Sequence, residues 1–356
     1  MNVRSFAVMV MAALLAACGG GGGDDRSGGV NAGESVQLPA GPKTYVAAAA
    51  TVGDYYSYKQ VWQVSGQNDS TTYESRLVSG VATDGGTTVK AVSALAGQSE
   101  LMVASSKTRT EEYDSLGRLL SIRDYPCVST TKPAYHMVAL KTIAAGMNWQ
   151  HAGVYETNCG FEPEQSTLEF KDVVGALERV TVPAGTFNAL KITRNHTSNS
   201  ATWTAVRERT CWWEPELGVE VKCIANTART KKATGEKTSY ADTYELQAFS
   251  NRALGRKVDS TLRFTGSWAG RLLGDAYGKC TAMFLPDGTI KGNCADSGFE
   301  FDLVGKVNPD GTLALNLVSN GVTGQTITGK FDSLQQISGT WSVPNHGSGT
   351  WVINQD

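Results

Sequence analysis

Cys211-Trp212-Trp213-Glu214-Pro215-Glu216-Leu217-Gly218-Val219-Glu220-Val221-Lys222-Cys223 reads as a strand, a turn and a second strand. Pro215 and Gly218 punctuate the middle, because proline presets φ and glycine accepts backbone angles closed to other residues. The two cysteines lie equally far from Leu217. Folding about the turn therefore sets them opposite each other, close enough for a cross-strand disulfide. Trp212 and Trp213 are neighbours on a strand, so their side chains leave on opposite faces and at most one joins any given surface.

The same grammar extends outward in both directions. Tyr55, Ser57, Lys59, Val61 and Gln63 alternate with Tyr56, Tyr58, Gln60 and Trp62. Further alternating runs occupy 71–81, 87–94 and 101–105, and 111–124 reads as a hairpin around Asp114-Ser115-Leu116-Gly117. Strands at 168–170, 180–182, 189–193, 201–211, 219–223 and 240–249 follow. No segment sustains a helical period with caps, and 46–51 offers at most one turn of helix. Short alternating runs broken by Gly, Asn, Asp and Pro define an all-β chain.

Residues 251–258, with Arg252, Arg256 and Lys257 and no apolar alternation, read as a linker between a β domain at 45–250 and a second at 259–356. The second has its own style. Gly266-Ser267-Trp268, Gly339-Thr340-Trp341 and Gly349-Thr350-Trp351 repeat one unit, and Pro286-Asp287-Gly288 and Pro309-Asp310-Gly311 are matching turns. Strands are expected at 261–270, 278–285, 289–295, 299–306, 312–318, 324–331, 335–342 and 348–354. Antiparallel strands joined by tight turns can close into a small up-and-down barrel, which removes exposed edges. Trp268, Trp341 and Trp351 are then its internal plugs. The style resembles glycine- and tryptophan-rich β-barrel modules of exported bacterial proteins.

The N-terminus has the parts of an export signal: Arg4, an apolar run from Phe6 to Ala17, and small residues before a cut. That run is too short to span a bilayer, which takes about 20 residues. It ends in Leu15-Ala16-Ala17-Cys18. This resembles the lipobox of bacterial lipoproteins, which implies a signal peptide at 1–17, acyl chains on Cys18 and a membrane as partner. Two or more chains hold stably where one does not. By analogy with lipoprotein sorting, Gly19 in place of Asp implies the outer membrane. Residues 18–44 include an unbroken Gly19–Gly23 run and form a flexible leash, spanning roughly 25–30 Å.

Setting Cys18 aside leaves Cys127, Cys159, Cys211, Cys223, Cys280 and Cys294. An even set in an exported chain indicates disulfides. Cys280 and Cys294 lie equally far from Asp287, as Cys211 and Cys223 do from Leu217, which leaves Cys127 with Cys159 by elimination. A metal site is disfavoured, since no Cys-x-x-Cys occurs and His136, His151, His196 and His346 are scattered.

Val180-Thr181-Val182-Pro183-Ala184-Gly185-Thr186-Phe187-Asn188-Ala189-Leu190-Lys191-Ile192 is similar to a signature of uncharacterised exported Gram-negative β-proteins. Trp213-Glu214-Pro215-Glu216-Leu217-Gly218-Val219-Glu220-Val221-Lys222 and Gly146-Met147-Asn148-Trp149 resemble its companion elements. The resemblance covers 45–250 and implies a curved antiparallel sheet half-closed around an apolar concavity, as in lipoprotein carriers. Physically, the Pro183–Phe187 stretch is a hairpin corner that returns Phe187 to a strand with its ring inward.

Catalytic constellations are scarce. Gly347-Ser348-Gly349 lacks the nucleophile-elbow spacing. Glu111, Glu112, Glu162 and Glu164 are carboxylates by type only, expected on exposed strands or loops. A net charge of −2 at pH 7 with no basic run gives no footprint for nucleic acid. The expectation is a non-catalytic, membrane-anchored protein of the cell envelope that binds an apolar molecule, a glycan or a protein, without cofactor or metal. A structural component without ligand is the first alternative and an envelope hydrolase the second.

Overall fold

The structure, a computed structural model, describes residues 35–37, 43–95, 107–135, 141–275, 277–296, 299–319, 322–331, 336–343 and 347–355. Cys18, the leash before residue 35 and the strand expected at 101–105 lie outside them.

The first half of the chain contributes β1 (Ser35–Gln37), β2 (Thr44–Val46), β3 (Tyr55–Val64), β4 (Ser70–Val81), β5 (Thr87–Leu95), β6 (Lys107–Tyr113), β7 (Leu119–Asp124) and β8 (Cys127–Tyr135). There follow β9 (Thr142–Ala144), β10 (Asn148–Asn158), β11 (Glu164–Val182), β12 (Gly185–Ser200), β13 (Trp203–Glu214), β14 (Val219–Lys231), β15 (Lys237–Asn251) and β16 (Arg256–Val258). Neighbours pair antiparallel in the order β10-β11-β12-β13-β14-β15-β3-β4-β5-β6-β7-β8. The sheet goes beyond the half-closed one the resemblance implies. β8 returns to β10, with Val128 opposite Asn158 and Lys132 opposite Val154, so the ring of strands closes.

Side-chain alternation builds the wall. In β11, Ser166, Leu168, Phe170, Asp172 and Val174 are buried while the residues between them face out, the period-2 pattern of a strand with one covered face. Two of these five are polar, so the covered face is not an oil layer. The hairpin read from Cys211–Cys223 is present, with the cysteines directly opposite. Alternation sends the Trp213 ring into one apolar cluster and the Trp212 ring against another, and the β13–β14 register shifts between the two residues. Phe187 re-enters β12 buried, past Gly185 at φ 128°.

Three local expectations change. Residues 46–51 are not helical: Ala47 and Ala48 donate to the carbonyls of Lys141 and Glu216, each at 2.9 Å, holding an extended strap across one end of the ring. Residues 251–258 are not a free connector. β16 folds back onto β15, and the buried Asn251 side chain accepts from Leu254 N at 3.0 Å. Residues 261–264 form a 3-10 turn in place of a strand start, capped by Ser260, whose side chain accepts from Leu262 N.

That turn carries Phe264 into the second domain. There β17 (Gly266–Gly274), β18 (Gly278–Phe284), β19 (Thr289–Asp296), β20 (Phe299–Val307), β21 (Thr312–Ser319), β22 (Val322–Phe331), β23 (Gln336–Val343) and β24 (Gly347–Gln355) form a closed barrel in sequence order. Its interior is filled: Trp268, Trp341 and Trp351 are buried with Phe264, Phe284, Ile290 and others, and Phe264 stacks on Phe331 at 3.9 Å. Gly339 makes room for this packing, since a Cβ there would stand 2.6 Å from Trp351 Nε1. The two barrels meet at polar contacts. Tyr55 OH donates to Asp259 at 2.9 Å, Ser75 Oγ donates to the Leu262 carbonyl at 3.2 Å, and the Arg263 guanidinium lies 5.0 Å from the Tyr55 ring.

Candidate functional site

The twelve-strand ring holds a cavity of about 380 Å³. Part of its wall is aromatic and aliphatic: Tyr58 and Trp62 on β3, Val78 on β4, Ile122 on β7 and Trp213 on β13. Charged side chains share this lining, an addition to the apolar concavity implied by the resemblance. Arg76 and Glu74 come from β4, Arg109 from β6, Arg207 and Arg209 from β13, Glu220 from β14 and Asp242 from β15. The Ala47–Ala50 strap borders the same space.

Two networks organise these charges. In the first, Glu111 is fully buried and accepts from Arg76 Nη2, from Arg109 Nε at 2.8 Å and from Tyr113 OH at 2.5 Å. Glu74 completes it, 3.0 Å from Arg109 Nη1 and accepting from Ser93 Oγ at 3.1 Å. Burial would raise the Glu111 pKa, but Arg76, Arg109 and the Tyr113 hydrogen bond outweigh it and hold the carboxyl at about 2. Glu111 is thus an ionised counter-ion at neutral pH, buried in the wall where its residue type alone leads one to expect an exposed strand charge. Glu112, its neighbour on the opposite face, is half-exposed and meets Ser121 Oγ at 2.6 Å. Glu162 and Glu164 lie exposed, away from the cavity lining.

In the second network, Arg209 Nη2 donates to Glu220 at 2.6 Å and to Tyr244 OH at 2.8 Å, and Arg207 Nη2 donates to both Asp242 oxygens at 3.0 Å. Tyr58 packs edge-on against Tyr244 with centroids 5.1 Å apart. Burial pushes the Tyr58 hydroxyl up, so it stays protonated. Deeper in the ring, Arg194 holds Asp172 bidentately at 2.7 and 2.9 Å. Beside it, burial and then the charges of Arg194, Arg207 and Arg209 push His196 down to about 3, leaving the imidazole neutral.

These pairs need small residues between them. Ala91 on β5 stands opposite both Arg76 and Arg109, and Ala225 on β14 stands opposite both Arg209 and Asp242. Both alanines are buried, and long charged side chains on the flanking strands meet over them. The sequence reading missed these arginines. Their signal is charge at alternate positions of one strand, as in Glu74-x-Arg76, Arg109-x-Glu111 and Arg207-x-Arg209.

Three disulfides join Cys127–Cys159, Cys211–Cys223 and Cys280–Cys294. Cys211, Cys223 and Glu220 bring ligating atoms within 4.8 Å of one another. Both sulfurs are spent in the disulfide, and Arg209 occupies Glu220.

Fold and site together define an all-β protein in which a cavity-bearing twelve-strand barrel is joined to a filled eight-strand barrel. No protein-family model matches the chain and no curated protein is significantly similar to it. Among solved structures it is similar to a candidate lipoprotein of Parabacteroides distasonis, at 15% identity and TM-score 0.31, over 58% of this chain and 99% of that one. An exported protein of Bacteroides fragilis with a YmcC-like fold shows 12% identity and TM-score 0.34, over 58% and 100%. The hypothetical lipoprotein YmcC of Escherichia coli shows 9% identity and TM-score 0.27, over 53% and 83%. Likenesses at these values assign no function.

Proposed function

We propose that this chain is a lipid-anchored binding protein of the bacterial outer membrane whose twelve-strand barrel takes up a small amphipathic molecule. The observation that carries this reading is the cavity of about 380 Å³, in whose wall Tyr58, Trp62 and Val78 stand among paired charges. Ligand sites combine such apolar lining with a few fixed polar groups, in volumes of about 300–1,000 Å³. The Leu15–Cys18 lipobox supplies the tether, and the eight-strand barrel, filled by its own side chains, serves as a rigid companion module.

Two measurements test it. Cys18→Ser moves the protein from the membrane fraction to the soluble fraction; retention in the membrane refutes the anchor. Native mass spectrometry of wild-type protein extracted from membranes shows a bound small molecule. A Val78→Trp variant, which fills the cavity, loses it. Wild-type protein that carries nothing and binds no amphiphile favours the ligand-free structural reading.

A further inference from the structure

The ion pairs around the cavity are not symmetric toward it. In Arg76–Glu111 the arginine side chain is 20% exposed and the glutamate 0%. In Arg207–Asp242 the values are 22% and 2%, and in Arg209–Glu220 they are 17% and 4%. In each pair the guanidinium is the more exposed member and borders the space; Glu111 is absent from the lining, and Glu220 and Asp242 stand in it nearly buried. Arg109, 21% exposed, joins them.

The acids in the lining are Asp242 and Glu220, held in the pairs just described, Glu74, gripped by Arg76 and Arg109, and Asp124. Lys141, also in the lining, donates to the carbonyls of Ser115 and Gly85 at 2.6 and 3.4 Å. The hydrogen-bond balance leans the same way. Arg207 Nε, Arg209 Nε and Trp213 Nε1 are buried donors without an acceptor, whereas no buried carboxylate oxygen among the described residues lacks a donor. A wall with spare donors and guanidinium groups more exposed than the carboxylates they pair with matches a ligand that brings acceptor oxygens, and charged acceptors bind guanidinium most strongly.

Resting on the reading that this barrel binds a small amphipathic molecule, we infer that the molecule carries an anionic oxygen group, a carboxylate or a phosphate. That group lies against Arg76, Arg109, Arg207 and Arg209, and the apolar remainder lies against Tyr58, Trp62 and Val78. An ammonium head is disfavoured because it would meet the cationic member of each pair.

The test uses the purified mature chain and four probes with one twelve-carbon tail: the carboxylate, the monoalkyl phosphate, the alcohol and the amine. Binding is read from tryptophan fluorescence and checked by calorimetry. The carboxylate or the phosphate binds at least tenfold tighter than the alcohol, and the tighter of the two names the head group. The amine binds weakest. Removing one arginine alone would strand a buried carboxylate, so the variants are charge-balanced: Arg207→Gln with Asp242→Asn, and Arg209→Gln with Glu220→Gln. Each lowers the anion-to-alcohol affinity ratio at least tenfold.

Equal binding of anion and alcohol by the wild type, or tightest binding of the amine, overturns the inference while the cavity reading stands. So does an unchanged ratio in both variants. Failure of all four probes to bind overturns the cavity reading and this inference with it. The wild-type series decides the matter even if neither double variant folds.

Discussion

Replacing Glu111 by Gln keeps the side chain's shape and removes its charge, with a cost that follows from its surroundings. The carboxylate is fully buried and is contacted by Arg76, Arg109 and Tyr113. Breaking a buried ion pair by neutralising one partner costs about 3–5 kcal/mol, because the other charge stays in a poor dielectric. A second route gives a similar figure. A carboxyl held at about 2 instead of its usual 4.5 has its charged form stabilised by about 3 kcal/mol. Glu74 remains 3.0 Å from Arg109 and 3.7 Å from Arg76 and still offsets part of their charge, which favours the lower end. The expected loss for Glu111→Gln is therefore about 3 kcal/mol, a large share of the about 5–15 kcal/mol typical of a folded domain. Urea unfolding followed by tryptophan fluorescence measures it as a lower midpoint at unchanged slope. Glu112→Gln is the internal control: same strand, opposite face, half-exposed, and expected to change stability by less than about 0.5 kcal/mol. A Glu111→Gln loss below about 1 kcal/mol, or equal to the control, would refute the claim that Glu111 anchors the wall.

The small barrel is stapled by Cys280–Cys294, which closes a sequence separation of 14 residues. Cys280→Ser with Cys294→Ser should cost about 3 kcal/mol in the chain-entropy account, seen as a lower melting temperature; an unchanged melting temperature would contradict it. His196 predicts a pH dependence. Its folded pKa is depressed to about 3 while the unfolded side chain titrates near 6.5, so the unfolded chain takes up a proton that the folded chain refuses. Stability falls as pH drops from 6.5 toward 3, by about 1.4 kcal/mol per pH unit once the unfolded histidine is protonated. Glu111, whose folded pKa is also depressed, adds its own loss only below its unfolded value of 4.5. Between pH 6.5 and 4.5, His196→Gln should therefore flatten the stability profile by one proton's worth of slope. Parallel profiles for variant and wild type would show that the imidazole titrates alike in both states.

Local chemistry made much of the fold readable. The eight strands of the C-terminal barrel follow from its turns and G-[ST]-W repeats, and the hairpins from equal spacing about their turn residues. Where the reading failed, local pattern and tertiary contact disagreed. Thr261-Leu262-Arg263-Phe264 alternates like a strand, yet Ser260 caps a 3-10 turn there that delivers Phe264 to the barrel core. Residues 251–258 lack apolar alternation, yet β16 pairs with β15 through backbone hydrogen bonds that need none. The β8–β10 closure joins 128–132 to 154–158, and nothing local to either segment marks it.

The candidate site was illegible for a deeper reason. Hydrophobic alternation identifies inward positions only when the interior is apolar, and here the inward face of β6 is Arg109, Glu111 and Tyr113, whose side chains meet in one network. What holds such a face inward is partner charge on strands that are not its hydrogen-bonded neighbours. Arg76 on β4 reaches Glu111 on β6 over Ala91 of β5, and Arg207 on β13 reaches Asp242 on β15 across β14. Each such pair spans three strands, so a one-residue slip of any of them would turn a charge away from its partner and strand the other inside the wall. The ionic layer therefore serves register: it fixes the strands by the same pairing that leaves the guanidinium groups more exposed than their carboxylates.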